Sequence, residues 1–114
     1  MQYALLIFEA PGSYEGLSES ERSQVSAEYA AIATVDGIVG GAQLQWAETA
    51  TTVRVRDGQT MTTDGPFADT KEVFGGYYLF EADDLDAALA LAARIPASRL
   101  GGSVEVRPVV TPSR

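Results

Sequence analysis

The sequence contains no cysteine and no histidine among its 114 residues. Without cysteine the chain has no disulfide, no thiolate nucleophile and no thiolate ligand for a metal ion. Without histidine it lacks the usual general base near neutral pH and the commonest ligand of transition metals. Acid–base chemistry would therefore have to use Asp, Glu, Lys or Tyr, and we expect no metal and no cofactor.

Basic residues are also scarce, because 8 Lys and Arg stand against 16 Asp and Glu, for a formal net charge of -8. The Lys and Arg residues form no cluster along the chain. An acidic surface repels phosphate backbones and anionic lipid headgroups. We therefore expect neither nucleic acid nor a membrane surface as a partner.

Long hydrophobic runs are absent as well, since no run approaches the ~20 residues that a membrane-spanning helix needs. The apolar run within the N-terminal MQYALLIFEA has no basic flank and no small-residue cleavage site, which is typical of a strand rather than a signal peptide. The chain is 46% hydrophobic and 21% charged, as folded globular domains are. We expect a single cytoplasmic domain over residues 1–110, with 111–114 as a C-terminal tail.

The first part of the chain predicts a strand followed by a helix. Residues 2–9 are apolar at both alternating positions, which indicates a strand covered on both faces. Ser18 and Glu21 have the spacing of a capping box, which begins a helix. The apolar stripe that follows consists of Val25, Tyr29 and Ile32. Because Gly37 suits the left-handed position that ends a helix, we predict a helix over about 18–35.

The middle of the chain predicts a second strand and a β-hairpin. Residues 38–46 have strand character, and Gly40 and Gly41 indicate a bulge or a close backbone approach within it. An alternating segment, an Asp-Gly turn and a short polar run predict a hairpin over 52–62. Arg54 lies on one face of that hairpin. A solvated outer face is the favoured interpretation, and contact with a neighbouring carboxylate is the alternative.

The longest apolar strand is predicted at 72–81. Strict alternation places its large side chains in two sets, Val73, Tyr77 and Leu79 on one face and Phe74, Tyr78 and Phe80 on the other. Gly75 and Gly76 in its middle weaken a strand unless another group packs very close to them. Like the first strand, this one is predicted to be covered on both faces.

The last part of the chain predicts a helix and a final strand. The helix starts at Asp83 and Asp84 and stops at Pro96, and the final strand covers 103–110. Together with Asp86, the two aspartates also resemble a cation-binding cluster. A calcium loop needs Gly and a bidentate Glu at fixed spacing, so helix capping is the favoured interpretation.

This order of elements predicts an α+β fold. Without the inserted hairpin it is βαββαβ, the ferredoxin-like arrangement of an antiparallel sheet with two helices on one face. Helices can cover only that face, yet strands 2–9 and 72–81 are apolar on both. Roughly four to six large side chains left in water would each forfeit about 1.5–3 kcal/mol. A second copy packed sheet against sheet covers them, so we predict a homodimer that closes a dimeric α+β barrel.

Several motifs carry a resemblance to a known family. DGPFADTKE at 64–72 and GGYYLFEADDLDAALALAARIP at 75–96 resemble the YCII-related family, in its DGPF branch, as do MQYALLIFE, ATTVRVRDGQTMTTDGPF and VEVRP. The resemblance covers nearly the whole chain and implies a ferredoxin-like, dimeric α+β barrel. Some relatives in the wider group are proposed to be enzymes with a His–Asp pair. This chain has no His, and Tyr29 stands near where that His would fall. The DGPF branch is associated with extracytoplasmic-function sigma factors, which implies a sigma factor as a partner.

The densest set of potentially reactive side chains lies in the loop at 64–72. Asp64 as a general base and Lys71 as a stabiliser of a developing oxyanion are the candidate catalytic residues. In the competing and favoured interpretation, Asp64 ties the turn through backbone hydrogen bonds, Phe67 fills the core, and Lys71 is solvated with Glu72. Turn chemistry alone accounts for Asp-Gly-Pro.

The candidate ligand-binding residues are Glu9, Tyr29, Arg54, Phe67 and Tyr77. Glu9 ends the first strand near the expected mouth of the barrel, and Tyr77 would line a cavity between two sheets. Packing is the favoured role of both tyrosines, because aromatic side chains dominate cores and interfaces.

Two functions follow from these residues and from the resemblance. The favoured one is a homodimer that binds a small molecule or a protein partner and is linked to sigma-factor regulation. The alternative is an enzyme of the isomerase or lyase type, with its site in the barrel interior, Asp64 as the acid–base residue and Lys71 beside it. The two differ in whether the loop carboxylates face a closed pocket.

Overall fold

The computed structural model describes residues 1–66 and 71–110. Its strands and helices are β1 (Gln2–Glu9), α1 (Glu19–Ala33), β2 (Ile38–Gln43), β3 (Thr51–Arg56), β4 (Gln59–Asp64), β5 (Val73–Glu81), α2 (Leu85–Ala92) and β6 (Ser103–Pro108). Single 3₁₀ turns occur at Ala47–Thr49 and Pro96–Ser98. Phe67, Asp69 and the predicted tail at 111–114 lie outside the described residues.

Four strands form one antiparallel sheet in the order β2-β5-β1-β6, and β3 pairs with β4 as a separate two-stranded sheet. The predicted α+β class and antiparallel pairing are confirmed, and the strand order is compatible with a ferredoxin-like arrangement. The turn between β3 and β4 has positive φ at both Asp57 (52°) and Gly58 (78°), as a tight hairpin turn requires. In the described part of the chain, no helix is long and apolar enough to cross a membrane.

Local signals explain where both helices begin. Ser18 accepts from the Glu21 N–H at 3.1 Å while Glu21 accepts from the Ser18 N–H at 3.0 Å, so the capping box that the sequence predicted is present. The Asp84 carboxylate caps α2 by accepting from the Ala87 N–H at 2.9 Å. Each cap satisfies backbone donors that have no partner inside the helix.

The hydrophobic core lies between the helices and one face of the sheet. Tyr3, Leu5 and Ile7 of β1 are buried in one cluster with Ile32 of α1 and with Ala88 and Leu91 of α2. Because successive strand residues point to opposite faces, the residues between them point away from the helices. We call that second surface the open face; its apolar and aromatic residues are Ala4, Leu6, Phe8, Phe74, Tyr77 and Leu79.

A bulge in β5 changes which side chains belong to the open face. Ile7 pairs with Gly76 but Phe8 pairs with Phe74, so Gly75 is an extra residue. The extra residue places Phe74 beside Phe8, and the two rings lie 5.5 Å apart. The alternation predicted from the sequence, which grouped Phe74 with the residues facing the helices, is therefore wrong at this position.

The close approaches expected at the paired glycines are present. A Cβ on Gly41 would lie 2.5 Å from the Tyr77 carbonyl oxygen, and β2 shifts register between Ile38 and Gly40. β2 ends at Gln43 rather than at residue 46. The next residue, Leu44, donates its N–H to the Gly75 carbonyl at 2.9 Å, and the chain then turns away from the sheet. The bulge in β5 thus coincides with the end of β2.

Candidate functional site

One carboxylate and two phenols meet at the end of β1, on the helix side of the sheet. The Tyr14 hydroxyl donates to Glu9 Oε1 at 3.4 Å, and the Tyr14 and Tyr29 hydroxyl oxygens lie 3.5 Å apart. We call these three side chains the Glu9–Tyr14–Tyr29 cluster. Both distances exceed the usual 2.7–2.8 Å of O–H···O bonds, so the three groups are in contact without being tightly locked.

Three elements place this cluster. Glu9 is the last residue of β1, and Tyr29 belongs to the stripe of α1 that faces the sheet. The Tyr78 hydroxyl donates to the Tyr29 carbonyl at 3.0 Å and ties α1 to β5. Tyr14 lies in the turns that join β1 to α1, where Arg22 Nε donates to its carbonyl at 3.2 Å. The cluster therefore joins a strand end, a connecting turn and a helix.

Burial sets the electrostatics of the cluster. Desolvation raises the pKa of Glu9 above its ordinary value, and the hydrogen bond from Tyr14 partly opposes that rise. Burial likewise raises the pKa of Tyr14 and, much further, the pKa of Tyr29. Tyr29 therefore stays protonated, and its hydroxyl has a proton to donate. Glu9 is the group that changes charge most readily.

Gly75 makes room for the Glu9 side chain. A Cβ at this position would lie 2.9 Å from Glu9 Cδ and 3.0 Å from Glu9 Oε1. Only glycine lets the carboxylate lie this close to β5 without displacement. This contact accounts for the first of the two glycines that the sequence analysis marked as sites of close packing.

A second feature is a cleft of about 560 Å³ at one end of the open face. The aromatic and apolar residues that line it include Phe8, Leu44, Trp46, Pro66 and Phe74, and Glu72 also lies at its wall. Its volume falls within the ~300–1,000 Å³ of ligand pockets. We call it the aromatic cleft.

The Asp-Gly-Pro turn is fastened to the wall of this cleft. The Gly65 N–H donates to the Ala50 carbonyl at 2.7 Å, and the Thr52 hydroxyl donates to the Gly65 carbonyl at 2.8 Å. Within the described residues, no hydrogen bond of the Asp64 carboxylate is found. The backbone and Thr52 hold the described part of this turn, and the backbone amides that follow Pro66 lie outside the described residues.

The predicted site residues fall into separate groups. Glu9 and Tyr29 come together through Tyr14, whereas Tyr77 lies on the open face as the Cα partner of Leu6. Asp64 and Lys71 are exposed at either end of the loop, and Arg54 is exposed on the hairpin. Asp64 is two residues from Pro66 in the cleft wall. Phe67 lies outside the described residues.

Sequence analysis missed Tyr14. It stands in a turn-rich stretch, where neither strand nor helix periodicity assigns it a direction. An isolated aromatic residue between Pro11 and the Ser18 cap is the only signal that the sequence offers for it.

Among the described residues, no group of three or more Asp and Glu side chains could hold a metal ion. Asp84 is engaged as the cap of α2, in keeping with the favoured interpretation of the acidic residues at 83–86. Asp83 and Asp86 are exposed.

Comparison with known proteins finds a family, a relative in sequence and a similar solved structure. The model of the YCII-related domain matches residues 1–112. "Uncharacterized protein R00369" of Rhizobium meliloti (strain 1021) is 35% identical over 114 residues, covering 96% of this chain and 92% of that protein. The structure of 5-chloro-2-hydroxyhydroquinone dehydrochlorinase (TftG) from Burkholderia phenoliruptrix AC1100, in complex with 2,5-dihydroxybenzoquinone, is 16% identical with a TM-score of 0.57, covering 99% of this chain and 97% of that one. At this identity the last match shows the fold alone.

Proposed function

Since the chain belongs to the YCII-related domain family, we propose that the protein is a homodimer of the DGPF branch that binds a small, largely apolar molecule in the aromatic cleft. The observation that carries the proposal is the cleft itself, with its volume of about 560 Å³ and its wall of Phe8, Trp46 and Phe74. Flat rings stack on such side chains with favourable geometry. The ligand class is therefore a compact aromatic or alicyclic compound.

The open face supports the dimer. Leu6, Tyr77 and Leu79 are only half-buried by their own chain, and Phe74 is 40% exposed. The molecule is a slab of 45 × 45 × 19 Å, thick enough for one sheet and one helix layer. A contiguous apolar patch on a soluble chain marks an interaction surface. A second copy with the same patch covers it through a two-fold axis.

The β3–β4 hairpin supports the same assembly. Its two strands form a sheet of their own, and Val53 and Val55 are 59% and 69% exposed on one face of it. A two-stranded sheet alone in water is marginally stable. In a dimer the partner chain covers this face as well, and the aromatic cleft beside it becomes more enclosed.

Trp46→Ala tests the ligand site. Trp46 is 65% exposed, so its removal costs little folding stability while it strips one wall from the cleft. In a thermal-shift screen of aromatic and alicyclic metabolites, the wild type is expected to gain several degrees with at least one compound, and Trp46→Ala is expected to lose that gain. Val39→Ala, at an equally exposed apolar residue of β2, is the matched control. Equal shifts in all three proteins would refute the cleft as the site.

The alternative is an enzyme that uses Asp64 and Lys71 inside the barrel. It is favoured by the fold that this chain shares with a dehydrochlorinase, and by Asp64 lying two residues from the cleft wall. Asp64→Asn tests it, with Asp57→Asn as a control at the other end of β4. Loss of ligand turnover or binding at an unchanged melting temperature supports this role. A melting temperature lowered by several degrees, with binding unchanged, supports a role in the turn only.

Association with an extracytoplasmic-function sigma factor rests on the DGPF resemblance. It is tested by co-purification of the tagged chain with individual sigma factors of the source organism, expressed one at a time. Retention of one of them and not the others supports the association, and retention of none contradicts it.

A further inference from the structure

We propose that Glu9, Tyr14 and Tyr29 form an acid–base site that binds an enolisable carbonyl compound and moves a proton on it. This site lies on the helix side of the sheet, whereas the aromatic cleft lies on the open face. The two sites can therefore be tested independently of each other.

The first reason is that Glu9 is partly buried and forms no ion pair with any described residue. The ion pairs found in the described part of the chain join Met1 to Glu81 and Arg99 to Glu28, and neither involves Glu9. A buried carboxylate with a structural role is normally paired, because desolvation disfavours its charge. Among the described residues, the one hydrogen bond to the Glu9 carboxyl is a long one from a phenol, and a half-buried carboxyl in this state is a candidate functional group.

The second reason is that the fold makes space for this carboxyl. Gly75 is the extra residue of the β5 bulge, and it removes the Cβ that would otherwise strike Glu9 at 2.9 Å. Bulges are common beside active sites, where they redirect strands and side chains. β5 thus has no side chain and an irregular pairing at the residue that touches Glu9. Both features leave room for the Glu9 carboxyl at this one place.

The third reason is that the two phenols are suited to different tasks. Tyr29 is held by packing on α1 and by the hydrogen bond from the Tyr78 hydroxyl to its carbonyl. Tyr14 sits in a turn and contacts both other members, at 3.4 Å and 3.5 Å. Hydrogen bonds of catalytic groups are often long before the substrate binds and tighten in the complex. Tyr14 thus contacts the carboxyl directly, and Tyr29 is connected to it through Tyr14.

The proton transfer balances without any oxidant or cofactor. The Glu9 carboxylate takes the proton from a carbon next to a carbonyl, the C–H bond breaks, and its electron pair forms the C=C bond of an enolate. The enolate oxygen accepts hydrogen bonds from the tyrosine hydroxyls, which stabilise its developing charge. The enolate oxygen then takes the proton of the Tyr14 hydroxyl, and Tyr14 recovers a proton from the Glu9 carboxyl, so that the keto form becomes the enol. The reverse sequence converts the enol to the keto form.

The groups that face Glu9 come from three elements. The connecting turn contributes Tyr14, α1 contributes Tyr29, and β5 contributes Gly75, which carries no side chain. Arg22 reaches the turn but bonds through Nε to the Tyr14 carbonyl. The pKa of Glu9 is therefore governed by burial, which raises it, and by the Tyr14 hydroxyl, which lowers it.

The experiment measures enol–keto conversion of phenylpyruvate by ultraviolet absorbance and deuterium uptake by cyclohexane-1,2-dione by NMR, each against buffer alone. The wild type is expected to accelerate at least one of them by about 100-fold, in the range of general acid–base catalysis. Glu9→Gln is expected to fall to the buffer rate. Tyr14→Phe removes one hydroxyl but leaves the carboxylate base and Tyr29, so its rate is expected to fall by about tenfold. Glu28→Gln, at a half-buried glutamate of α1 that pairs with Arg99 and lies outside the cluster, is expected to retain the wild-type rate.

The pH profile separates catalysis from a structural role. The wild-type rate is expected to rise with pH as Glu9 ionises, with a midpoint above the ordinary pKa of a glutamate. Because the Tyr14 hydrogen bond lowers the pKa of Glu9, the midpoint is expected to move upward in Tyr14→Phe. Tyr14→Phe also decides the question if Glu9→Gln fails to fold. Wild-type rates equal to buffer with both probes, full activity of a folded Glu9→Gln, or an unmoved midpoint in Tyr14→Phe would overturn the proposal.

Discussion

The neighbouring glycines of β5 allow a sharp test of the packing described above, because a methyl group added at each meets a different kind of obstacle. In Gly75→Ala the new Cβ lies 2.9 Å from Glu9 Cδ, which is the far end of a flexible side chain. In Gly76→Ala it lies 2.7 Å from the carbonyl oxygen of Ala42 and 3.3 Å from the Cα of Gln43, which are backbone atoms of β2. The first obstacle can rotate away, whereas the second can yield only if β2 separates from β5.

The two variants are therefore expected to differ in stability although they carry the same substitution. Overpacking against backbone costs about 1–3 kcal/mol, and this cost applies in full to Gly76→Ala. Gly75→Ala requires Glu9 to move and gains about 0.4–1 kcal/mol from the lower entropy of the unfolded chain. We expect a net change within about 1 kcal/mol for Gly75→Ala and a destabilisation of about 2 kcal/mol for Gly76→Ala.

Thermal and urea unfolding measure this difference. For a chain of this length, 2 kcal/mol corresponds to roughly 8 °C in melting temperature. In Gly75→Ala the displaced Glu9 carboxyl also loses part of its burial, so its pKa, followed by carboxyl-carbon NMR, is expected to fall toward the ordinary value. Equal melting temperatures of the two variants, or an unchanged Glu9 pKa in Gly75→Ala, would refute this account of the bulge.

Three further predictions concern charge, assembly and capping. Because the folded-state pKa of Glu9 is raised, its ionised form destabilises the fold, so Glu9→Gln should be at least as stable as the wild type at pH 7. This difference should shrink as the pH falls through the raised pKa and should be gone below the ordinary glutamate pKa. For Glu28, whose pKa Arg99 lowers, Glu28→Gln should show the opposite sign, as equilibrium unfolding against pH will reveal. Leu6→Asp on the open face should convert a dimer into a 12.1 kDa particle, as measured by size-exclusion chromatography with light scattering. The control Ser23→Asp, at an exposed residue of α1, should leave the dimer intact. A wild type that already has a mass of 12.1 kDa would contradict the dimer. Ser18→Ala should cost about 1 kcal/mol by urea unfolding, and a change within error would mean that the capping box contributes little.

The elements of the fold that follow from neighbouring residues could be predicted from the sequence. The capping box at Ser18 and Glu21, the Asp57–Gly58 turn and the apolar alternation of β1 each depend on residues a few positions apart. Backbone hydrogen bonding and side-chain period decide such features locally. The order of strands and helices along the chain also identified the α+β class, which needs no knowledge of long-range contacts.

The face of the sheet on which Phe74 lies, and the residues that make up the candidate site, could not be predicted in the same way. The sequence marked both glycines of β5 as unusual, but which of them would be the extra residue depends on the register against β1. One extra residue moves every side chain beyond it to the other face. The partnership of Tyr14 with Tyr29 likewise joins residues on different elements, and no periodicity reports it.

By itself, the sequence determined the chemical limits of this protein. Its lack of Cys and His, its acidity and its strands with two apolar faces are properties of composition and local pattern, and any fold of this chain carries them. Tertiary structure decided which of the acidic residues acquires an unusual environment. Asp64 stays exposed at a strand end, whereas Glu9 is drawn in beside two phenols. The physical reason is the bulge at Gly75. The pairing of β5 with β1 decides that Gly75, which has no side chain, lies beside Glu9 and leaves room for its carboxylate.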